Sequence, residues 1–281
     1  MNKRIFEELF FKGLMILATT LVAGSLLLIV GTILYKGLPY LTLDMVTKTP
    51  DGGFYIGKEG GVLNAIVGSF YIATGSTLLG LLISIPVSIY LNFYIKQQSF
   101  LSNAARLSFD VLFGIPSIVY GAFGFIIMIY LGMRASLLGG IITVTLLVIP
   151  IMIRTLDEIM GTVPKELRDA AFSLGATRWE ASKVVLRQIL PGIITAILLS
   201  FGRAIGDVAS VMFTAGFSDN IPISPDEPAA TLPLAIFFQL GSSVPEVQGR
   251  AYASALILTI IVLAITLLIN LVSKKFSKHK I

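Results

Sequence analysis

RTLDEIMGTVPKELRDAAFSLGATRWEASKVVLRQILPG (Arg154–Gly192) is a polar interval in an otherwise apolar chain, and its local signals are dense. Pro164 suits the first position of a helix, where its missing N–H leaves nothing unsatisfied. That helix is predicted to run through KELRDAAFSL, with Gly175 as its C-terminal cap. Thr177, Arg178, Trp179 and Glu180 form a T-x-x-E capping box, so a second helix starts at once and leads past Pro191 into the next apolar run. Leu167, Ala171 and Leu174 fall on one face of the first helix at i, i+4, i+7 spacing. Ala170 and Ala171 leave room for close approach. So short a helix is marginal in water by itself, and its apolar face requires a surface, either on its own bundle or on another protein.

Outward from this interval the chain is built for a bilayer. Of its 281 residues 55% are hydrophobic and only 13% charged, about half the charged share of a soluble domain. A crossing helix needs about 20 mainly apolar residues. Residues 13–35, 62–95, 111–131, 135–153, 189–217 and 251–272 meet that need and predict six spans. The second run is too long for one simple crossing. Its first turns are expected to lie at the outer interface, and its later part to cross with a kink near Pro86. The outer segment TLPLAIFFQLG (Thr231–Gly241) is too short to cross and reads as a re-entrant, interfacial or packing piece.

With the N-terminus inside, the inner pieces hold fifteen of the 21 Lys and Arg residues. This places both termini in the cytoplasm by the positive-inside rule. The first span lacks a clear small-residue cleavage site and reads as a retained anchor. Three parts are expected: 1–61, with the first span and outer loop; 62–272, the core with the loop at 154–190; and 273–281, a basic cytoplasmic tail. The net charge of +5 does not argue for nucleic acid. The chain has no cysteine, which excludes disulfides and thiolate chemistry, and its one histidine, His279, lies in the tail. No G-x-x-x-x-G-K-[ST] loop is present, so this chain has no such cradle for nucleotide phosphates. No pair of carboxylates or nucleophile and base marks a catalytic centre.

DAAFSLG resembles the EAA loop of ABC-importer permeases, with Asp169 in place of Glu and with Ala170, Ala171 and Gly175 matching. The later part of that pattern departs: Val185–Gln188 stand where Ile-x-Leu-Pro is expected, and an Ile-Leu-Pro follows at 189–191. GIPSIVYGAFGF (Gly114–Phe125), TLLVIPIMIRT (Thr145–Thr155), LRDAAFSLGATRWE (Leu167–Glu180) and GRAIGDVASVMFTAG (Gly202–Gly216) are similar, in order, to phosphate-specific permeases. The final stretch looks most like the PstA-type subunit, with Asp207 for the usual Glu and Val208 for the usual Thr. The resemblance implies an all-α, type I ABC-importer permease fold with six transmembrane helices and a cytoplasmic coupling helix. It implies a bacterial or archaeal cytoplasmic membrane, a second homologous permease, two ATPase subunits carrying ATP and Mg, and an extracytoplasmic phosphate-binding protein. This chain itself would bind no cofactor or metal. Coupling to the ATPase would fall to Leu167, Asp169, Ala170, Ala171, Leu174 and Gly175. The alternatives are an importer of sulfate, molybdate or tungstate, or, in a different class, an ion channel or intramembrane enzyme.

Within LLSFGRAIGDVASVMF (Leu198–Phe213), Arg203 and Asp207 lie four residues apart in a run otherwise fit for hydrocarbon. On one continuous helix they would share a face. An unpaired Arg at the bilayer centre costs at least about 2.5–3.5 kcal/mol, and such charges face a bundle interior or a wet path. Three readings stand: a guanidinium donor on an oxyanion's route, a gate that re-partners between states, or a static clamp between helices. Gly202 and Gly206 form a G-x-x-x-G expected to admit a neighbouring helix.

Overall fold

In an apolar solvent a helix satisfies its own backbone, so long apolar runs fold as helices. The computed structural model describes residues 3–51, 59–96 and 99–277; residues 52–58 and the tail end with His279 lie outside them. Its helices are α1 Lys3–Gly37, α2 Leu43–Thr47, α3 Leu63–Ile89, α4 Phe100–Gly114, α5 Ser117–Tyr130, α6 Leu137–Gly161, α7 Lys165–Ser173, α8 Arg178–Gln188, α9 Leu190–Ile205, α10 Leu232–Leu240 and α11 Pro245–Ser277. A π turn, Tyr90–Tyr94, extends α3. Among the described residues four helical stretches are long and apolar enough to cross a membrane, and two sharply bent pairs, α4–α5 and α8–α9, bring the number to six if each pair is one span.

The bends and breaks correct the expected spans. The run at 62–95 is one unbroken helical stretch, Leu63–Tyr94, and not two pieces. The expected span 111–131 is broken: α4 and α5 meet at 99°. The cause is Pro116, which holds Ile115 in an extended conformation (ψ 130°) and denies α5 a preceding helical turn. α6 continues past residue 153 to Gly161, so Arg154, Asp157 and Glu158 are helical and not part of a loop. α8 and α9 meet at 72° beside Pro191. The expected fifth span, 189–217, stops being helical at Gly206.

The centre of the molecule is the pairing of α3 with α6. Gly68, Ser69, Ala73, Ser76, Gly80, Ser84 and Ser88 form a small-residue stripe buried along α3. Such stripes let backbones approach closely where lipid supplies no hydrophobic drive between helices. A Cβ at Gly80 would sit 3.0 Å from Val148 Cγ2 and 3.3 Å from the Met152 sulfur. Around this pair, Ile72, Val144, Val148, Ala204 and Val211 form the main core. Leu156, Met160, Val185 and Ile193 form a second core, toward the end that carries α7. α10 is the expected short outer piece. Thr231 caps it and the Ser69 hydroxyl accepts from the Leu232 N–H at 2.8 Å. α1 stays almost wholly exposed and touches the body at its end, where Lys36 Nζ lies 4.9 Å from the Tyr252 ring centroid.

Gly80→Leu should therefore wedge α3 from α6 and lower stability by about 1–3 kcal/mol, the usual cost of overpacking. Gly24→Leu on α1, where a Cβ meets no described atom within 4 Å, should change stability by less than about 0.5 kcal/mol. Monodispersity of the detergent-purified protein after a temperature ramp measures both, and equal melting of the two variants would contradict this packing.

Candidate translocation cleft and docking helix

The stop at Gly206 sets the geometry of the charge pair. Arg203 lies in the last turn of α9, where a cation complements the exposed carbonyls of the helix end. Asp207 lies just beyond the helix. Its Oδ2 accepts from the Ser210 N–H at 2.8 Å and so caps the turn that follows. Its Oδ1 lies 3.3 Å from Arg203 Nη2. The two side chains differ sharply in exposure, 46% for Arg203 and 2% for Asp207. The pair is thus formed at the expected i, i+4 spacing, though not on one continuous helix. No helix enters the G-x-x-x-G: among the described residues a Cβ at Gly202 meets nothing within 4 Å, and one at Gly206 meets only the Gly202 carbonyl of its own helix.

Arg203 opens onto a cleft of about 740 Å³ lined also by Asp110, Leu112 and Ile115 near the α4–α5 bend, by Arg154 and Glu158 of α6, and by Leu199. Arg154 is the residue that sequence reasoning missed. Its Nε lies 3.4 Å from Asp110 Oδ1 and 3.0 Å from Glu158 Oε1. The Arg203–Asp207 pair is accordingly not the only ion pair on the apolar helices. The available signal was the i, i+4 spacing of Arg154 and Glu158, but the R-T-x-D-E run that carries it reads equally well as loop or as helix. Two guanidiniums lining one cleft are a suitable donor set for an oxyanion.

The helix–glycine–helix interval folds as its local signals indicate. Pro164 occupies the cap position of α7, one residue before the predicted first helical position. Gly175 has φ +82°, with the Gly175 N–H on Phe172 O at 2.9 Å and the Ala176 N–H on Ala171 O at 3.1 Å, the two bonds of a Schellman end. The Thr177–Glu180 capping box is complete. The predicted apolar face divides. Leu167 packs against the chain's own second core, and Ala171 is half-buried. Asp169 and Ala170 are exposed, and Leu174 is 89% exposed. Phe172 and Trp179 add to the exposed apolar surface near this turn. Burial pulls the Arg168 guanidinium below its usual pKa. Among the described residues no group of three His, Cys, Asp or Glu side chains is placed to hold a metal ion.

The fold has a known counterpart. An inward-facing structure of the MetNI methionine ABC transporter superposes with a TM-score of 0.63 at 18% identity, covering 76% of this chain and 95% of that one. In sequence, the phosphate transport system permease protein PstA of Haemophilus influenzae is 32% identical over 90% of this chain and 87% of its own length. The protein of the same name from Pasteurella multocida is 34% identical over 90% of this chain and 88% of its own length. A probable ABC transporter permease, YqgI of Bacillus subtilis, is 28% identical and covers 95% of both chains. The profile of one family, described as binding-protein-dependent transport system inner membrane component, matches residues 80–279. That region holds the end of α3, all of α6, the cleft and the α7–α8 interval, and the chain belongs to this family of multi-pass inner-membrane transport components.

Proposed function

We propose that this chain is one of two permease subunits of an ATP-driven phosphate importer, with Arg203 and Arg154 on the wall of the phosphate path. Family membership makes it the membrane component, not the ATPase, of an importer that works with an ATPase and a binding protein. The observation that carries the cargo reading is the cleft. Arg203 is half exposed toward it, and its single ion pair among the described residues leaves most of its N–H donors free. Phosphate carries one to two negative charges and offers paired oxygens to such a fork. The names of the PstA relatives support phosphate over sulfate, molybdate or tungstate.

The finer assembly follows the same reading. The cleft is open on one side within this chain, so a second, homologous permease supplies the facing wall. Two ATPase subunits dock at α7 and at its equivalent, and a phosphate-binding protein delivers from the outer face. The distribution of Lys and Arg supports cytoplasmic termini. Vesicles containing the complete transporter test the cargo. Phosphate is expected to be taken up in preference to sulfate, molybdate and tungstate, and a preference for any of those three refutes the reading.

Arg203→Gln should cut phosphate uptake about ten- to a hundred-fold, the worth of a charge-assisted hydrogen bond, at near-normal membrane abundance. Asp207 requires a different substitution because its second oxygen serves the backbone. Asp207→Asn keeps an acceptor for Ser210 and should leave abundance unchanged. Asp207→Ala orphans a buried N–H and should lower abundance. Uptake in cells lacking other phosphate systems, with abundance followed by blot, reads all three. Normal uptake by Arg203→Gln would take Arg203 off the path.

At the docking helix, Gly175→Val forces a β-branched residue to positive φ, a strain of about 1–3 kcal/mol, whereas Asn tolerates that region. Gly175→Val and Ala171→Arg should both lower ATP hydrolysis stimulated by the loaded binding protein several-fold while the chain stays inserted. Gly175→Asn should retain most of it. Full stimulation in a well-expressed Ala171→Arg complex would remove α7 from the ATPase contact.

A further inference from the structure

A chain of polar contacts outside the cleft joins α7 to the cleft wall. Arg168 of α7 reaches inward: its Nη2 donates to the carbonyl of Met160 at 2.9 Å, in the last turn of α6, and its Nη1 to the carbonyl of Asn92 at 3.4 Å, in the π turn after α3. Its guanidinium also lies 4.8 Å from the centre of the Phe93 ring. Asn92 continues the chain, because its Nδ2 donates to Asp157 Oδ1 at 2.7 Å. Asp157, on α6 and only 10% exposed, receives Arg106 of α4 with both oxygens, Nε at 2.7 Å and Nη2 at 3.0 Å. Arg106 Nη1 donates to the Ser102 hydroxyl at 2.7 Å. One helical turn further along α4 stands Asp110, paired with Arg154 in the cleft.

We infer that Arg168, Asn92, Asp157 and Arg106 form a clamp that makes α7, the end of α6 and α4 move as one body, so that displacement of the docking helix is carried to the α4 wall of the cleft. This rests on the proposed docking of α7 on an ATPase and on phosphate passing through the cleft. Three features point to transmission and not merely to fold stability. The clamp is bidentate at Arg106–Asp157, which fixes orientation as well as distance. A buried ion pair is weak support for stability compared with apolar side chains of similar size. Every link joins a different element, and the π turn that presents Asn92 and Phe93 is an irregularity at the junction, the kind of place where helices carry function. Arg168, Asn92, Asp157 and Arg106 are positioning residues; none lines the cleft.

The complete transporter in vesicles tests the clamp through phosphate taken up per ATP hydrolysed. Coupling networks shift such quantities by about two- to thirty-fold. Asp157→Asn keeps the hydrogen-bonded shape but removes the ion pair, and Arg106→Leu/Asp157→Leu removes both charges of this partly buried pair. Both variants should keep ATP hydrolysis within about two-fold of wild type and lose about ten-fold in phosphate per ATP. Arg168→Leu should behave in the same way, and combining it with the double leucine should add little, because both break one chain. A double-leucine transporter with wild-type phosphate per ATP would overturn the inference, since the clamp would then be only packing. So would a parallel fall of hydrolysis and uptake, which marks damaged assembly. The wild-type transporter is the separate control: if it failed to carry phosphate, the proposed cargo would fail and not the clamp.

Discussion

The irregular chain from Asp207 to Thr231 must find hydrogen-bond partners inside protein, because hydrocarbon offers none. It finds them at the ends of other elements. The N–H groups of Ser136, Leu137 and Leu138, unpaired at the start of α6, donate to the carbonyls of Thr214, Glu227 and Pro225. Ala229 N–H donates to Ala215 O, Asn64 Nδ2 to Ser218 O, and Leu232 N–H to the Ser69 hydroxyl. Asp207 itself serves the first turn of the segment. These bonds require Gly68 and Ser69, because any Cβ at residue 68 would collide with the Ala230 carbonyl. The small-residue stripe of α3 therefore meets two needs at once: close approach to α6 at one level and a seat for irregular backbone at another.

That arrangement also explains where the cleft forms. Ending α9 at Gly206 leaves Arg203 on a helix terminus with its guanidinium turned outward, while the chain beyond fills the interior with Ser210, Val211, Thr214 and Ala215. The α4–α5 bend at Pro116 draws α4 away from a straight crossing and brings Asp110, Leu112 and Ile115 to face Arg203. Two helix interruptions thus define two sides of one space. The helical extension of α6 to Gly161 supplies the third, carrying Arg154 and Glu158.

Much of this was legible wherever the signal was local. The cap glycine, the capping box and the short helix α7 depend on residues within a few positions of one another, and the sequence states them directly. Apolar run length located the four long helical stretches and the apolar part of each bent pair, and the i, i+4 spacing of Arg203 and Asp207 located their pair. Interruptions inside apolar runs were not legible. Pro116 and Gly206 are ordinary residues in membrane helices, and only tertiary partners decide whether the helix continues. Long-range polar contacts were less legible still: Arg106 lies 51 positions from Asp157, and Asn92 lies 65. Arg154 was hidden because the hydrophobic pattern ends at Ile153 while the helix does not. Leu167 and Leu174 show the limit of periodicity itself: it placed them on one face, but only packing decides that Leu167 is held by the chain's own core and Leu174 is left free.

The charges of the cleft bear on how tightly it can hold an anion. Arg154 and Arg203 face it, but so do Asp110 and Glu158, and Asp207 sits directly behind. On this chain's wall three carboxylates face two guanidiniums, and on the proposed path an arriving phosphate would compete with them for the same donors. Such a surface is poor at capture and good at release. A conducting site must bind well enough to admit its ion and weakly enough to let it leave. Tight selection would then fall to the binding protein on which transport in this family depends. The permease wall is left to lower the cost of taking an anion through an apolar interior without trapping it there. On the proposed path, the carboxylates beside Arg154 and Arg203 would hold the arginines in place when the cleft is empty and reclaim them when the anion moves on.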